Sequence, residues 1–281
     1  MKTARRHYEN FPVASFFIPA TLRKHVASVY AFARYADDIA DEGNAARQER
    51  RLKLDDWRAK LHRSVIKGEN HPIFIALSDT IRRFDLPLQL FDDLLDAFAQ
   101  DIMVDEYETF DQLLDYCRRS ANPIGRILLY FFHCSSSETV APADALCTGL
   151  QLANFWQDVA VDVKKNRIYV PKQDRMTFDV PESDLYQNHA SEQLRLLMQC
   201  EVARTRIFFH DAQTLFAHVP FRLRLELKAI WQGGMKILHA IEMNGFDTLA
   251  KRPSLRFADK MTILLSALLP VSNSEIEYAR N

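Results

Sequence analysis

The amino-acid sequence predicts an all-α fold, and three observations carry that prediction. Only 7 of 281 residues are Gly, against an average usage of roughly 7%. Sandwiches, barrels and Gly-loop nucleotide folds need a richer supply of turn residues. Apolar residues recur at three- and four-residue spacing, the period of a helix with one buried face. The two-residue alternation of a half-buried strand is absent.

Helices are predicted over roughly 20–42, 46–66, 72–84, 88–102, 108–120, 124–134, 142–163, 191–218, 221–244 and 256–268. Pro19 precedes the first and Gly43 follows it, which is the start and stop chemistry of a helix. Pro123, Pro142, Pro171, Pro181, Pro220 and Pro253 fall between predicted segments, where a residue lacking an N–H interrupts no ladder. Segment 164–189 is polar and holds two prolines, so it is expected as one long loop of the kind that forms lids or binding loops. No repeat or linker divides the sequence, and 1–281 is predicted as a single domain able to bury a core without staples.

Charge and composition exclude several function classes. Lys and Arg number 36 against 37 Asp and Glu, which argues against a nucleic-acid partner. With 48% hydrophobic and 26% charged residues, the chain is neither disordered nor low-complexity. Cys117, Cys134, Cys147 and Cys200 form no CxxC pair, so they are expected as free thiols in a reducing compartment. Lys2, Arg5 and Arg6 are followed by Glu9 and Asn10 rather than an apolar run, and no secretory signal is expected. The apolar stretches Ile127–Phe132 and Ile263–Val271 are too short to span a bilayer. The expected location is cytoplasmic, with peripheral contact at the inner membrane through the amphipathic 256–271 segment. There is no HExxH, GxGxxG or GxxxxGK[ST] string, so zinc and nucleotide sites are not predicted.

Two helices carry chemistry. In Tyr35–Glu42, Asp37 and Asp41 stand one turn apart, as do Asp38 and Glu42, so four carboxylates crowd one side of a helix end. Each like-charge pair at that spacing costs an isolated helix roughly 0.2–0.5 kcal/mol, and the dipole disfavours anions there. A solvated acidic face is the plain alternative, but Val29, Phe32, Ala36 and Ile39 interleave with these acids. In the second helix Asn154, Asp158 and Asp162 form one stripe, with Gln151 a turn earlier. Leu152, Phe155, Trp156 and Val159 make the rest of that helix apolar, so it should be buried. Buried carboxylates need counter-charge. Either arginines in a core network supply it or the two stripes share divalent cations. An all-oxygen donor set without Cys or His points to a hard ion such as Mg²⁺.

Asp37-x-x-x-Asp41 and Asn154-x-x-x-Asp158-x-x-x-Asp162 resemble the two aspartate-rich motifs of the squalene/phytoene synthase family. Tyr30 and Arg34 before the first motif, and Gln151 and Arg167-Ile168-Tyr169-Val170-Pro171 around the second, match as well. The resemblance runs over essentially the whole chain. It implies an isoprenoid synthase-type helical bundle with a central cavity, in which the acidic helices hold Mg²⁺ on a prenyl diphosphate. Asp37, Asp41, Asn154, Asp158 and Asp162 are then the metal-binding and catalytic residues. Tyr30, Arg34, Gln151, Gln157, Arg167 and Tyr169 are the substrate-binding ones, and Lys164 and Lys165 stand where they could close over the diphosphate.

Three strings, 9–15, 118–126 and 154–158, are similar to one subgroup of that family, the bacterial hydroxysqualene synthases. The sequence departs from the condensing members where Pro12 and Val13 replace a His-Ser pair. It departs again at Ala121-Asn122-Pro123, at Gln157 in place of an Arg, and at Trp231–Met235 in place of a segment holding a Tyr. Losing a cation and a phenol weakens a second diphosphate site, which fits an enzyme handling one diphosphate. The implied reaction ionises presqualene diphosphate and captures the cation with water, alongside a presqualene diphosphate synthase and a squalene-forming reductase. A dry aromatic cavity is needed for such a cation, with Phe16, Phe17, Phe32, Phe131, Phe132, Phe155, Trp156, Phe208 and Phe209 as candidate lining. Asn10, Ser120 and Asn122 are candidates for placing the water. The alternatives are a head-to-head prenyltransferase making presqualene diphosphate, squalene or phytoene and, more remotely, a non-catalytic scaffold relative.

Overall fold

The computed structural model describes residues 18–41, 45–255 and 263. Eleven α-helices are found among the described residues: α1 (Ala20–Asp41), α2 (Arg47–Ile66), α3 (Pro72–Phe84), α4 (Gln89–Met103), α5 (Phe110–Ser120), α6 (Asn122–Phe131), α7 (Ser137–Asp162), α8 (Lys172–Thr177), α9 (Glu192–Asp211), α10 (Leu215–His218) and α11 (Phe221–Met243). The extended pairing among the described residues is a single isolated bridge, Glu106 to Ile168. The all-α reading holds.

Four boundaries differ from the sequence reading for local reasons. Helix α7 begins upstream of Pro142 and contains it. The Ser136 N–H donates to Thr139 Oγ1 at 2.9 Å, so capping starts the helix early, and Pro142 costs only a ladder bond near that start. Helix α6 stops at Phe131 because His133 turns left-handed at φ 50°. The 191–218 pattern tightens into a 3₁₀ turn at Ala212–Thr214. Segment 164–189 is not one loop: Pro171 and Pro181 sit immediately before α8 and the 3₁₀ turn Glu182–Tyr186, starting helices rather than ending them. The predicted 256–268 helix lies outside the described residues, save Ile263.

Two apolar cores form. Helix α1 packs on α2, α3 and α4, burying Phe32, Trp57, Phe74 and Phe91 in one aromatic cluster. Helix α7 packs on α5, α6, α9, α10 and α11. At its centre Trp156 is fully buried and donates Nε1–H to Thr205 Oγ1 at 2.8 Å. Helix α4 touches both groups, and near its end Arg47 grips Asp105 at 2.6 Å. Arg167, just after α7, reaches both Asp41 at the end of α1 and the Asp101 carbonyl on α4. No described helix is long and apolar enough to cross a membrane.

Candidate active site

Helix α1 buries Phe32, Ala36 and Ala40, which leaves Arg34, Asp37, Asp38 and Asp41 along its flank. Arg34 lies one turn before the acids and pairs with Asp37 at 3.1 Å and Asp38 at 2.5 Å. Burial pushes the Asp37 carboxyl above its ordinary range, the neighbouring Asp41 adds to this, and Arg34 opposes it. Tyr30, a turn before Arg34, is half-buried.

On α7, Leu152, Phe155, Trp156 and Val159 are buried, while Gln151, Asn154, Asp158 and Asp162 are half-buried. Burial and then the charge of Asp158 raise Asp162 to about 7. Two carboxylates a turn apart in poor solvent cannot both ionise freely. Asp158 receives a bidentate Arg252, with Nη2 to Oδ2 at 3.1 Å.

The turn after α7 joins the rows. Asn166 adopts left-handed φ of 59°, which an Asn tolerates, and the chain doubles back so that Arg167 N–H donates to the Asp162 carbonyl at 3.0 Å. The Arg167 guanidinium then reaches across to Asp41 on α1, with Nη1 to Oδ2 at 3.3 Å, and to the Asp101 carbonyl at 3.4 Å. Burial works against the Arg167 charge, but Tyr169, Asp41 and Asp101 outweigh it and hold the guanidinium protonated. Arg167 is felt by Asp162 on one row and Asp37 on the other, so the rows predicted from sequence share one neighbourhood. Tyr169 stacks on Phe155 at 3.9 Å and 11°. The pair walls a cavity of about 10 Å³ that Asp162 and Arg167 also line.

Two residues escaped the sequence reading. Asp101 on α4 is raised to about 7 by burial, with Arg167 and the Tyr116 O–H at 2.9 Å working against the shift. Arg252 follows α11 and contacts Asp158 from 94 positions away. Neither carries a local signal. Asp101 is one acid among Asp92, Asp93 and Asp96, and Arg252 stands beside Lys251 like any basic loop pair.

Other expected residues are placed differently. Gln157 sits one step round α7 from the acidic stripe, 1% exposed, and donates Nε2–H to the Pro253 carbonyl at 2.5 Å. Asn122 accepts from Thr148 Oγ1 at 3.0 Å, and the Ser120 hydroxyl is buried without a partner among the described residues. Of the aromatic candidates, Phe32, Trp156 and Phe209 are fully buried core, whereas Phe155 faces the site. Asn10, Phe16 and Phe17 lie outside the described residues.

Among the described residues no three His, Cys, Asp or Glu side chains converge closely enough to cage an ion. The donor set nonetheless suits a hard cation: two rows of oxygens, half-buried, with Asp37 and Asp162 both raised by burial and then by a neighbouring aspartate. Arginines pair with these acids here.

An all-helical chain with two carboxylate rows at one mouth, threaded by arginines, has the architecture of an isoprenoid synthase-type fold. The sequence matches the squalene/phytoene synthase family over residues 4–259, and the chain belongs to that family. It is 34% identical to the hydroxysqualene synthase of Sinorhizobium fredii over 254 residues, 90% of this chain and 85% of that protein. It is 28% identical to the 15-cis-phytoene synthase of Synechococcus elongatus over 276 residues, 94% and 89% of the two. The squalene synthase HpnC of Alicyclobacillus acidocaldarius superposes with a TM-score of 0.81 at 39% identity, covering 86% of this chain and 91% of that one.

Proposed function

We propose that the protein is a hydroxysqualene synthase, converting presqualene diphosphate and water to hydroxysqualene and diphosphate, a carbon–oxygen lyase reaction on a phosphate ester. The observation that carries this reading is Arg167, which leaves the Asp162 row and closes on the Asp41 row. One cation thereby stands between two sets of acids, where a diphosphate would sit. The identity to hydroxysqualene synthases supports the particular reaction.

Diphosphate leaves only if charge on its oxygens is neutralised as the C–O bond breaks. Arg34, Arg167 and Arg252 are each already oriented by a carboxylate, and each can turn its donors to phosphate oxygens. Asp37, Asp41, Asn154, Asp158 and Asp162 would hold Mg²⁺, which supplies Lewis-acid charge to the leaving group when bound. Tyr30 and Gln151 flank the rows as polar contacts. The stacked Phe155–Tyr169 pair keeps bulk water from the ionising carbon and offers a π-face to a cation.

Purified protein with Mg²⁺ and either presqualene diphosphate or farnesyl diphosphate, followed by product identification, tests the proposal. Hydroxysqualene is expected from the first substrate. Efficient turnover of farnesyl diphosphate alone would reassign the chain to head-to-head condensation. Asp158→Ala is expected to lower turnover by about 100-fold or more with the circular-dichroism spectrum retained, and a variant of normal turnover would remove Asp158 from the site.

A further inference from the structure

Hydration of a carbocation needs one ordered water in a cavity otherwise kept dry, so the group that holds this water must be buried, near the diphosphate and short of a partner. Gln157 meets all three conditions. Its amide is 1% exposed. Its Nε2–H is committed to the Pro253 carbonyl at 2.5 Å, and a carbonyl can only accept, so the end of the amide that faces it is the NH2 group. The other end is thereby fixed as oxygen, and Oε1 is buried with no hydrogen-bond donor among the described residues. An orphaned buried acceptor is costly, and a single water O–H would satisfy it.

Room for that water lies beside it. Gln157, Asn154, Leu150, Gly233, Gly234 and Ile237 line a cavity of about 10 Å³, close to the space one water occupies. Two glycines of α11, Gly233 and Gly234, form one side of it. Their close approach is structural, since a Cβ at Gly234 would meet Phe209 Cε1 at 2.6 Å and Leu150 Cδ2 at 2.9 Å. Asn154 belongs both to this wall and to the acidic stripe, which puts the cavity one side chain from the diphosphate end of the site. Asn122, by contrast, has its oxygen occupied by Thr148.

From this geometry we infer that Gln157 Oε1 holds the water that captures the carbocation, a role that rests on the hydroxysqualene synthase reading. A neutral amide oxygen suits the task. It accepts one O–H and leaves the water lone pairs free for the cation. In the step, the water oxygen forms the new C–O bond with a lone pair. The resulting oxonium gives up one proton, and the diphosphate released in the ionisation takes it as base. Ester and water are consumed, alcohol and hydrogen diphosphate are produced, and no electrons are exchanged.

The test measures alcohol formed per diphosphate released when the Mg²⁺-supplemented protein is given presqualene diphosphate. Gln157→Met keeps the length and removes the acceptor. It is expected to lower that ratio by about tenfold or more, with olefinic products of proton loss appearing instead. Gln157→Glu keeps an acceptor oxygen and drops the N–H tie to Pro253, and it is expected to retain most of the alcohol. An unchanged ratio in Gln157→Met overturns the inference. Equal losses in both variants also overturn it, because they assign Gln157 to bracing Pro253. If Gln157→Met yields no folded protein, a crystal structure of the unaltered chain decides. A water within about 2.6–3.1 Å of Oε1 supports the role, and a dry, side-chain-filled cavity refutes it. Should the unaltered protein itself release diphosphate without alcohol, the functional reading fails and this role falls with it, a result distinct from an insensitive variant.

Discussion

Replacing Arg167 with Met removes the charge that links the two acidic rows while keeping most of the side-chain volume. Arg167 and Asp41 are 18% and 26% exposed, between the surface pairs worth under about 1 kcal/mol and the buried pairs whose breakage costs about 3–5. A loss of about 2 kcal/mol follows, and at about 2 °C per kcal/mol for a chain of this size the melting temperature drops by about 4 °C. The guanidinium also holds down the carboxyls of Asp101 and Asp162, both at about 7 even in its presence, so both rise further in the variant. Turnover is expected to fall by about 100- to 1,000-fold, the scale for one donor to a developing oxyanion. Magnesium should act in the opposite sense. With no guanidinium on Asp41, an added cation becomes the main counter-charge, and the Mg²⁺-induced rise in melting temperature should exceed that of the parent. Thermal unfolding with and without Mg²⁺, paired with diphosphate release, measures both effects. A variant with parental melting temperature and parental turnover would refute the view that Arg167 couples the rows.

Glu201 is fully buried and burial raises its carboxyl to about 8, with Arg204 opposing. The folded chain therefore keeps a proton between about pH 4.5 and 8 that the unfolded chain releases, and stability falls as pH rises through that window. Glu201→Gln should flatten the decline by on the order of 1–3 kcal/mol in urea melts at pH 5 and 8, and an unchanged pH slope would contradict it. Gly234→Ala should destabilise by about 1–2 kcal/mol net in thermal unfolding. Its Cβ overlaps the buried Phe209 ring, at a cost of about 1–3 kcal/mol that outweighs the roughly 1 kcal/mol of helix propensity gained. A more stable variant would show that Phe209 can move aside.

The parts of the site legible in the sequence were those that follow from helical period. Asp37 and Asp41, or Asn154, Asp158 and Asp162, share a face because 3.6 residues make a turn, whatever the surroundings. Arg34 was legible for the same reason, being a turn away from both acids it binds. Arg252 and Asp101 were not, because their meaning depends on packing between distant segments. The aromatics show the converse limit. Phe32 and Phe155 are equally apolar in the sequence, yet one is locked among Trp57, Phe74 and Phe91 and the other faces Tyr169. Pro142 was misleading since a proline reports that an N–H is missing, not whether a helix began before it.

The arginines also bear on how substrate and metal binding depend on each other. Every guanidinium at the site is already spent on an acid: Arg34 on Asp37 and Asp38, Arg167 on Asp41, Arg252 on Asp158. A diphosphate that draws these donors to its own oxygens exchanges one charge-assisted bond for another of similar strength, so the exchange by itself yields little affinity. It leaves half-buried carboxylates stripped of counter-charge, which is unfavourable unless cations arrive with the diphosphate. Each cation in turn has little reason to bind while the arginines occupy its ligands. If the protein works as proposed, diphosphate and metal would therefore bind as a set, each raising the affinity of the other by the same factor, as linkage requires. The arrangement keeps most of the acids paired in the free protein, and it would concentrate positive charge at the mouth only when there is a leaving group to receive it.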